Sequence, residues 1–267
     1  MSGLEVVIFD WAGTIVDHGS LAPVRAVCQL FARHDVVVDE ATARRDMGLF
    51  KRDHIRRILE TGEIQQRWRE VHGNAWSEAD IDGLFSDFQL LQMEVLQAHS
   101  KLIFDAGALG ERLRRRGLKI ATTTGYTRPM LDLLLASAAE QGFRPDLAIS
   151  PDEAGGGRPH PWMCLKIALA TGLSAMRAAV KIGDTPADVA EGLNAGMWTI
   201  GVSATGNETG LSADDLAALA DCERKRRLEW AECSLRQAGA HYVIESAAGC
   251  EAALEAIERR IAAGERP

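Results

Sequence analysis

The sequence lacks the features that mark membrane, secreted and nucleic-acid-binding proteins. No apolar run approaches the ~20 residues that span a bilayer, and no basic region followed by an apolar core opens the chain. The five cysteines are odd in number and widely spaced, with no CxxC pair, which is typical of reduced thiols. No basic stretch carries interleaved aromatic residues, and the net charge is −8. We therefore expect a cytoplasmic protein that binds neither membranes nor nucleic acids.

The composition is that of a globular protein, with 46% hydrophobic and 25% charged residues among 267. Six short segments, bounded by Gly, Asp or Ser, have the pattern of buried strands. These segments are Leu4–Phe9, Lys119–Thr124, Leu147–Ser150, Ala179–Gly183, Trp198–Val202 and Tyr242–Glu245. Helical patterns separate most of them, at Ala106–Arg116, Thr127–Gln141, Pro161–Thr171, Pro186–Ala195 and Ala247–Ala262. The alternation predicts an α/β fold, a doubly wound parallel sheet with helices on both faces and a ligand site at the carboxyl ends of its strands.

Residues 21–99 break this alternation, because they show helical periodicity only. The predicted helices are Ala22–Arg33, Ala41–Met47, Lys51–Leu59, Glu63–Val71 and a long one over Ser77–His99. We predict an all-helical cap domain over 21–99, inserted after the first strand of a core domain formed by 1–20 and 100–267. A further stretch, Asp221–Ala240, has the pattern of one exposed helix.

The stretch VVIFDWAGT ends an apolar strand at Asp10 and turns at once. Three other predicted strands are followed by Thr124, Arg158, and the pair Asp184 and Asp188. Because the strands are predicted to be parallel, all of these side chains should meet at one edge of the sheet.

Such a set suits phosphoryl transfer. Asp10 can attack phosphorus to form an aspartyl phosphate, and Thr124 with the amides of its turn can hold phosphoryl oxygens. Arg158 supplies a permanent positive charge. Three carboxylates packed together repel one another, so we expect Mg²⁺ between Asp10 and Asp184.

The motifs FDWAGT, TTGYT, GRP and GDTPADV, in this order, resemble those of the haloacid dehalogenase superfamily. The resemblance covers the whole predicted core, and it implies that the helical insert is that superfamily's cap domain. In phosphatases of the superfamily a second aspartate, two residues after the first, protonates the departing oxygen. Here that position is Ala12, so either the leaving group needs no such acid, another residue activates it, or the protein is an inactive relative.

The insert offers a candidate for that activation in MGLFKRDHI, where Lys51 follows apolar residues at the start of a predicted helix. The helix dipole and desolvation both lower the pKa of a lysine there, and a neutral amine attacks carbonyls. His54 lies on the same helical face and could carry a proton. The spacing alone also fits a solvated lysine and a surface histidine.

Ala12 and Lys51 explain each other if the leaving atom is carbon. A C–P bond that breaks leaves its electrons on carbon, and a bare carbanion is a poor leaving group. An imine between Lys51 and a neighbouring carbonyl accepts those electrons as an enamine. An acid at position 12 then has no role.

FDWAGT, MGLFKRDHI, TTGYTR and GRPHPWMC together resemble the phosphonatase (phosphonoacetaldehyde hydrolase) family. The resemblance implies Schiff-base chemistry at Lys51, a nucleophile at Asp10, homodimers, and a place in 2-aminoethylphosphonate use. It implies Mg²⁺ held by Asp10, the Ala12 backbone carbonyl and Asp184. The remaining predicted site residues surround the substrate or support the metal ligands: Met47, Thr124, Gly125, Tyr126, Arg158, Thr14 and Asp188.

Two alternatives remain open from the sequence. A 2-haloacid dehalogenase also lacks the second aspartate, attacks carbon through Asp10 and needs no metal, although Asp184, Asp188 and Lys51 argue against it. A non-catalytic protein of this kind would bind phosphonates without cleaving them. The helix Ala22–Arg33 is a candidate dimer surface.

Overall fold

Six parallel strands form one sheet in residues 3–267, the part of the chain that the computed structural model describes. The strands are β1 (Val6–Phe9), β2 (Lys119–Thr123), β3 (Leu147–Ile149), β4 (Ala179–Gly183), β5 (Trp198–Val202) and β6 (Tyr242–Ile244). Their order across the sheet is β3-β2-β1-β4-β5-β6, and every neighbouring pair is parallel. The predicted α/β fold and all six predicted strands are confirmed.

The point where the strand order reverses lies between β1 and β4. β1 pairs with β2 on one side and with β4 on the other, where Phe9 is in register with Ile182. Asp10 therefore follows β1 at nearly the same level of the sheet at which Asp184 follows β4. Open α/β sheets bind ligands at such a switch point, because the loops there diverge and leave a crevice.

Thirteen α-helices accompany the sheet in the described residues. They are α1 (Leu21–Arg33), α2 (Glu40–Arg45), α3 (Lys51–Glu60), α4 (Gly62–His72), α5 (Glu78–Leu96), α6 (Ala106–Arg115), α7 (Arg128–Glu140), α8 (Pro151–Ala154), α9 (Trp162–Thr171), α10 (Pro186–Asn194), α11 (Ala213–Ala218), α12 (Asp221–Gln237) and α13 (Cys250–Ala262). The predicted helices are all present, and the short helices α8 and α11 were not predicted.

The helices α1 to α5 follow β1 and pack mainly on one another, with α5 against α1 and α3. We call them the helical insert. The capping box that the sequence indicates is present, since the Ser77 hydroxyl accepts from the Asp80 amide while the Asp80 carboxylate accepts from the Ser77 amide. The predicted long helix is one turn shorter than expected, because α5 ends at Leu96 and a 3-10 turn covers Gln97–His99.

The prediction that Asp221–Ala240 is an exposed helix is only partly right. α12 covers Asp221–Gln237, but its Ala231 and Leu235 are buried. The Leu235 side chain packs so closely on Gly201 of β5 that an added Cβ there would lie 3.0 Å from it. One face of the helix therefore packs on the sheet. The many charged residues of α12 hide the short apolar pattern of that face in the sequence.

Two expectations drawn from absences can be compared with the structure. No helix in residues 3–267 is both long enough and apolar enough to cross a membrane. The five cysteines are all free thiols, as their spacing predicts.

Candidate active site

Asp10 stands at the end of the central strand, held by its own amide, which donates to the Ile182 carbonyl at 2.8 Å. The residue is 4% exposed. The chain then turns sharply through Gly13, whose φ is +78°. A Cβ at Gly13 would collide with the Asp184 carboxylate, so only glycine lets the two strand-end loops approach this closely.

Arg158 is the centre of a buried ion-pair network. Its Nη2 donates to Asp10 Oδ1 at 2.6 Å, its Nη1 lies 3.2 Å from Asp188 Oδ1, and its Nε donates to Glu191 Oε2 at 3.0 Å. Burial acts to lower the pKa of the guanidinium, but the three carboxylates outweigh it and hold that pKa above its usual range. Arg158 is thus a fixed cation beside Asp10.

The three aspartates differ in how completely they are paired. Asp188 accepts from Lys181 Nζ at 2.6 Å and from the Thr185 hydroxyl at 2.6 Å. Burial raises its pKa, but Arg158 and Lys181 outweigh burial and lower it. Asp184 instead accepts only from the Asn207 amide, at 2.7 Å, and its Oδ1 is buried without a hydrogen bond from the described residues.

The electrostatics of Asp10 and Asp184 fit a bound cation. Burial raises the pKa of both carboxyls against the opposing charge of Arg158. The charge of Asp188 raises both pKa values further, and that of Asp10 also raises the pKa of Asp184. Ligand oxygens of these three residues lie within 4.8 Å of one another. Because Asp188 is already satisfied, Asp10 and the free oxygen of Asp184 are the side-chain ligands best placed for a divalent metal.

Two members of the buried network were missed by the sequence reasoning. Lys181, in the middle of β4, is 1% exposed and reaches Asp188 and Glu191. Glu191, on α10, is fully buried and also accepts from the Thr123 hydroxyl at 3.0 Å. A lysine inside an otherwise apolar central strand was the available signal, because such a strand is buried on both faces.

Lys51 begins α3 and is 3% exposed, so the prediction of a desolvated amine at a helix start is confirmed. Its Nζ donates to Met47 Sδ at 3.2 Å and lies 5.9 Å from the centre of the Tyr126 ring. Burial, and then the charge of Arg158, lower its pKa to about 8 against the opposing effect of Asp10 and Asp184. The amine is therefore far more available as a nucleophile than that of a solvated lysine.

A small cavity brings the two parts of the molecule together. Its volume is about 20 Å³, room for little more than one water molecule. Nine of the predicted site residues line it: Asp10, Ala12, Met47, Lys51, Thr124, Gly125, Tyr126, Arg158 and Asp184. Four residues that were not predicted also line it: Ser20, Pro23, Gly48 and Thr185. Residues from the helical insert and from the sheet thus share one enclosed space.

Besides Asp188, which is held in the ion-pair network, two predicted site residues do not line the cavity, His54 and Thr14. His54 is fully buried one turn after Lys51, and burial, with Lys51 adding, lowers its pKa well below the usual value. Thr14 is also fully buried, and its hydroxyl makes no hydrogen bond to the described residues. Neither is among the residues that line the cavity.

A parallel α/β sheet with buried carboxylates at its switch point is typical of a hydrolase class, and comparison with known proteins agrees with that class. The family model for haloacid dehalogenase-like hydrolases matches residues 4–196. The phosphonoacetaldehyde hydrolase of Nitratidesulfovibrio vulgaris is 43% identical over 99% of this chain and 94% of its own length. That of Hahella chejuensis is 44% identical over 99% of this chain and 90% of its own.

A solved structure extends the similarity to the whole fold. The crystal structure of a phosphonoacetaldehyde hydrolase-like protein from Oleispira antarctica superposes with a TM-score of 0.97 and 40% identity, covering 100% of this chain and 96% of that one. The chain belongs to the phosphonoacetaldehyde hydrolase family of haloacid dehalogenase-like hydrolases.

Proposed function

We propose that this protein hydrolyses the C–P bond of phosphonoacetaldehyde, giving acetaldehyde and phosphate. The observation that carries the proposal is a buried amine, Lys51, facing Asp10 across one cavity whose wall at position 12 is a methyl group. The names of the relatives support the same substrate. In this proposal the aldehyde arises by transamination of 2-aminoethylphosphonate.

Lys51 begins the reaction as a neutral amine that attacks the aldehyde carbon. Loss of one water gives an imine, and its protonated form is the electron sink. Met47, which accepts a hydrogen bond from Lys51, and the ring of Tyr126 lie beside the amine without stabilising its protonated form as strongly as a carboxylate would. We propose that His54, kept neutral by burial, passes protons to and from this end of the cavity through water.

Asp10 then attacks phosphorus. The C–P bond breaks, its electron pair moves through carbon to the iminium nitrogen, and an enamine and an aspartyl phosphate result. Arg158 already donates to Asp10 and so lies beside the transferring group, while Thr124 and the amides of Gly125 and Tyr126 can receive phosphoryl oxygens. Protonation of the enamine at carbon and hydrolysis of both covalent adducts release acetaldehyde and phosphate.

We propose Mg²⁺ as the metal, held by Asp10, Asp184 and the backbone carbonyl of Ala12. When bound, it would offset the charge of the carboxylates and of the phosphonate. The unpaired Oδ1 of Asp184 supports this assignment, because a buried carboxylate oxygen without a donor is costly unless a cation occupies the site.

We propose that residues 21–99 act as a cap domain that opens and closes over a core of 1–20 and 100–267. The cavity of about 20 Å³ cannot admit the substrate as it stands, so the helical insert must move for substrate to enter and for products to leave. Closure excludes water while the imine and the acyl phosphate exist.

We also propose a homodimer. The helix α1, which the sequence offered as a candidate surface, buries its apolar residues within the insert. α9 is a better candidate, because Trp162 is 45% exposed and Leu169 is 84% exposed on its surface. Sedimentation of the parent and of Trp162→Ser/Leu169→Ser tests this surface, and a dimer that persists in the variant would exclude it.

Borohydride trapping tests the proposed chemistry. With phosphonoacetaldehyde and borohydride, the parent enzyme should lose activity and gain mass on the peptide that contains Lys51. Lys51→Arg keeps a positive charge but has no nucleophilic amine at neutral pH, so it should remain unlabelled and lose turnover by more than about a thousandfold. Lys225→Arg is the matched control, since the side chain of Lys225 is 79% exposed. Labelling at another lysine, or an active Lys51→Arg enzyme, would refute the proposal.

A further inference from the structure

Arg44, near the end of α2 in the helical insert, reaches across to the loop that follows β5. Its Nη1 donates to the Gly19 carbonyl at 2.8 Å and to Asn207 Oδ1 at 3.2 Å, and its Nη2 donates to the Gly210 carbonyl at 3.1 Å. Asn207 returns the contact, because its Nδ2 donates to the Arg44 carbonyl at 3.2 Å. One side chain thus connects the insert, the turn that links β1 to the insert, and the loop after β5.

The loop after β5 leaves room for the Arg44 guanidinium because it has a glycine at the point of contact. Gly210 has a φ of +68°, and a Cβ at that position would lie 3.0 Å from the guanidinium of Arg44. Asn207 is 3% exposed. A cation bonded to backbone carbonyls and an amide, in a partly buried place, is a costly arrangement unless every one of those bonds is made.

Further hydrogen bonds connect Arg44 and Asn207 to Asp184 on the core side of the site and to Lys51 on the insert side. On the core side, the Asn207 amide donates to Asp184 Oδ2 at 2.7 Å. On the insert side, the Arg44 carbonyl also accepts from the Met47 amide at 3.1 Å, and Met47 Sδ accepts from Lys51 Nζ at 3.2 Å. Asp184 and Lys51 are therefore connected through Asn207, Arg44 and Met47, by hydrogen bonds between these residues and covalent bonds within them.

We propose that Arg44 and Asn207 form an interdomain latch, a pair of positioning residues that hold Lys51 and Asp184 in register when the insert is closed. The contacts of the latch cross the boundary between the two parts, so they break when the insert opens and form again when it closes. The inference rests on the proposed function for its catalytic consequence, but the latch itself is a structural statement that needs no substrate.

Hydrogen exchange without substrate tests the latch independently of the chemistry. In Arg44→Met and in Asn207→Ala, the amides of 46–51 and 205–210 should exchange at least about tenfold faster than in the parent, as the loss of a hydrogen bond to a charged group permits. Exchange in β1 and β4 should be unchanged. Arg45→Met is the control, because Arg45 is exposed on the same helix.

Loss of the latch should affect imine formation and C–P cleavage to different extents. Imine formation uses only the insert side of the site, so borohydride labelling of Lys51 should fall less than about threefold in Arg44→Met. Single-turnover C–P cleavage needs both sides in register, and it should fall about 10- to 100-fold. The loss in the double variant Arg44→Met/Asn207→Ala should be smaller than the product of the two single losses, because both substitutions remove the hydrogen bond between Arg44 Nη1 and Asn207 Oδ1.

Equal losses in labelling and cleavage, or unchanged exchange in both loops, would overturn the latch. An additive double variant would do the same. If instead the parent enzyme neither labels nor releases acetaldehyde, the proposed function is wrong, and the exchange measurement alone then decides whether the latch exists.

Discussion

At position 12 a methyl group stands where phosphatases of this superfamily carry an acid. Ala12 lines the cavity between Asp10 and Lys51, so its side chain is exposed to whatever the cavity holds. An acid there would serve an oxygen leaving group. In the proposed mechanism the desolvated amine of Lys51 serves a carbon leaving group, so Ala12 and Lys51 are two parts of one adaptation.

Ala12→Asp should reduce C–P cleavage by at least about a hundredfold. The new carboxylate would add negative charge beside Asp10 and Asp184, whose pKa values are already raised, and would fill space at the reacting carbon. Turnover of phosphonoacetaldehyde and of a simple phosphate ester should be measured together. Ala12→Asn controls for size without the charge, and a variant with aspartate that equals the parent would contradict this account of Ala12.

The pH dependence of imine formation should report the pKa of Lys51. That pKa is lowered to about 8, so the fraction of neutral amine falls about tenfold per pH unit below 8 and levels off above it. Initial rates of acetaldehyde trapping on the Lys51 peptide should follow this curve. A rate that keeps rising to about pH 10.4, as for an ordinary lysine, would show that the amine is not desolvated in solution.

Asp10 and Asp184 could be predicted from the sequence because each directly follows a strand, and a parallel sheet brings its strand ends to one edge. Arg158 comes later, after β3 and the short helix α8, but the same rule places it at that edge. Lys181 and Glu191 were missed, because their role depends on partners in other elements. The position of His54 behind the cavity wall was missed for a related reason: a shared helical face does not say what that face packs against.

Among the elements, the turn after β2 shows how closely the insert approaches the sheet. A Cβ on Gly125 would lie 2.8 Å from the carbonyl oxygen of Leu49, which belongs to the insert. Residue 125 must therefore lack a side chain for the insert to approach the sheet this closely.

Gly125→Ala should lower kcat/KM by at least about tenfold while leaving the thermal midpoint within a few degrees, since the clash opposes closure more than folding. Gly62→Ala is the matched control, because nothing lies within 4 Å of its added methyl group. Its activity should stay within about twofold of the parent. If both variants behave alike, the insert does not need to close on this turn.

Elements were predicted well where the hydrophobic period is strong, and their ends less well. All six strands were found because each is a short apolar run bounded by a turn residue. The burial of one face of α12 was missed, since only Ala231 and Leu235 among its many charged residues carry the signal. Contacts between elements, such as the one between Arg44 and Asn207, have no local signature in a single sequence.

At the scale of the whole molecule, the residues proposed to hold Mg²⁺, which are Asp10, Ala12 and Asp184, all lie in the loops that follow β1 and β4, so folding of the sheet brings them together. Mg²⁺ at about a hundred times its Kd should raise the thermal midpoint of the parent by about 5 °C, because the folded chain binds the ion and the unfolded chain does not. Asp184→Asn should lose this shift. Acetaldehyde release in excess chelator at the undiminished rate would exclude the metal-dependent mechanism.

The cavity shared by Lys51 and Asp10 limits the length of the substrate. The amine is carried by the insert and the carboxylate by the sheet, so the closed structure fixes the gap between the carbonyl carbon and phosphorus of any molecule held by both. The proposed mechanism therefore selects substrates by the distance between these two atoms. A phosphono-aldehyde with one carbon more could contact either Lys51 or Asp10 but would keep the insert from closing fully, and it should bind as a competitor that is not cleaved.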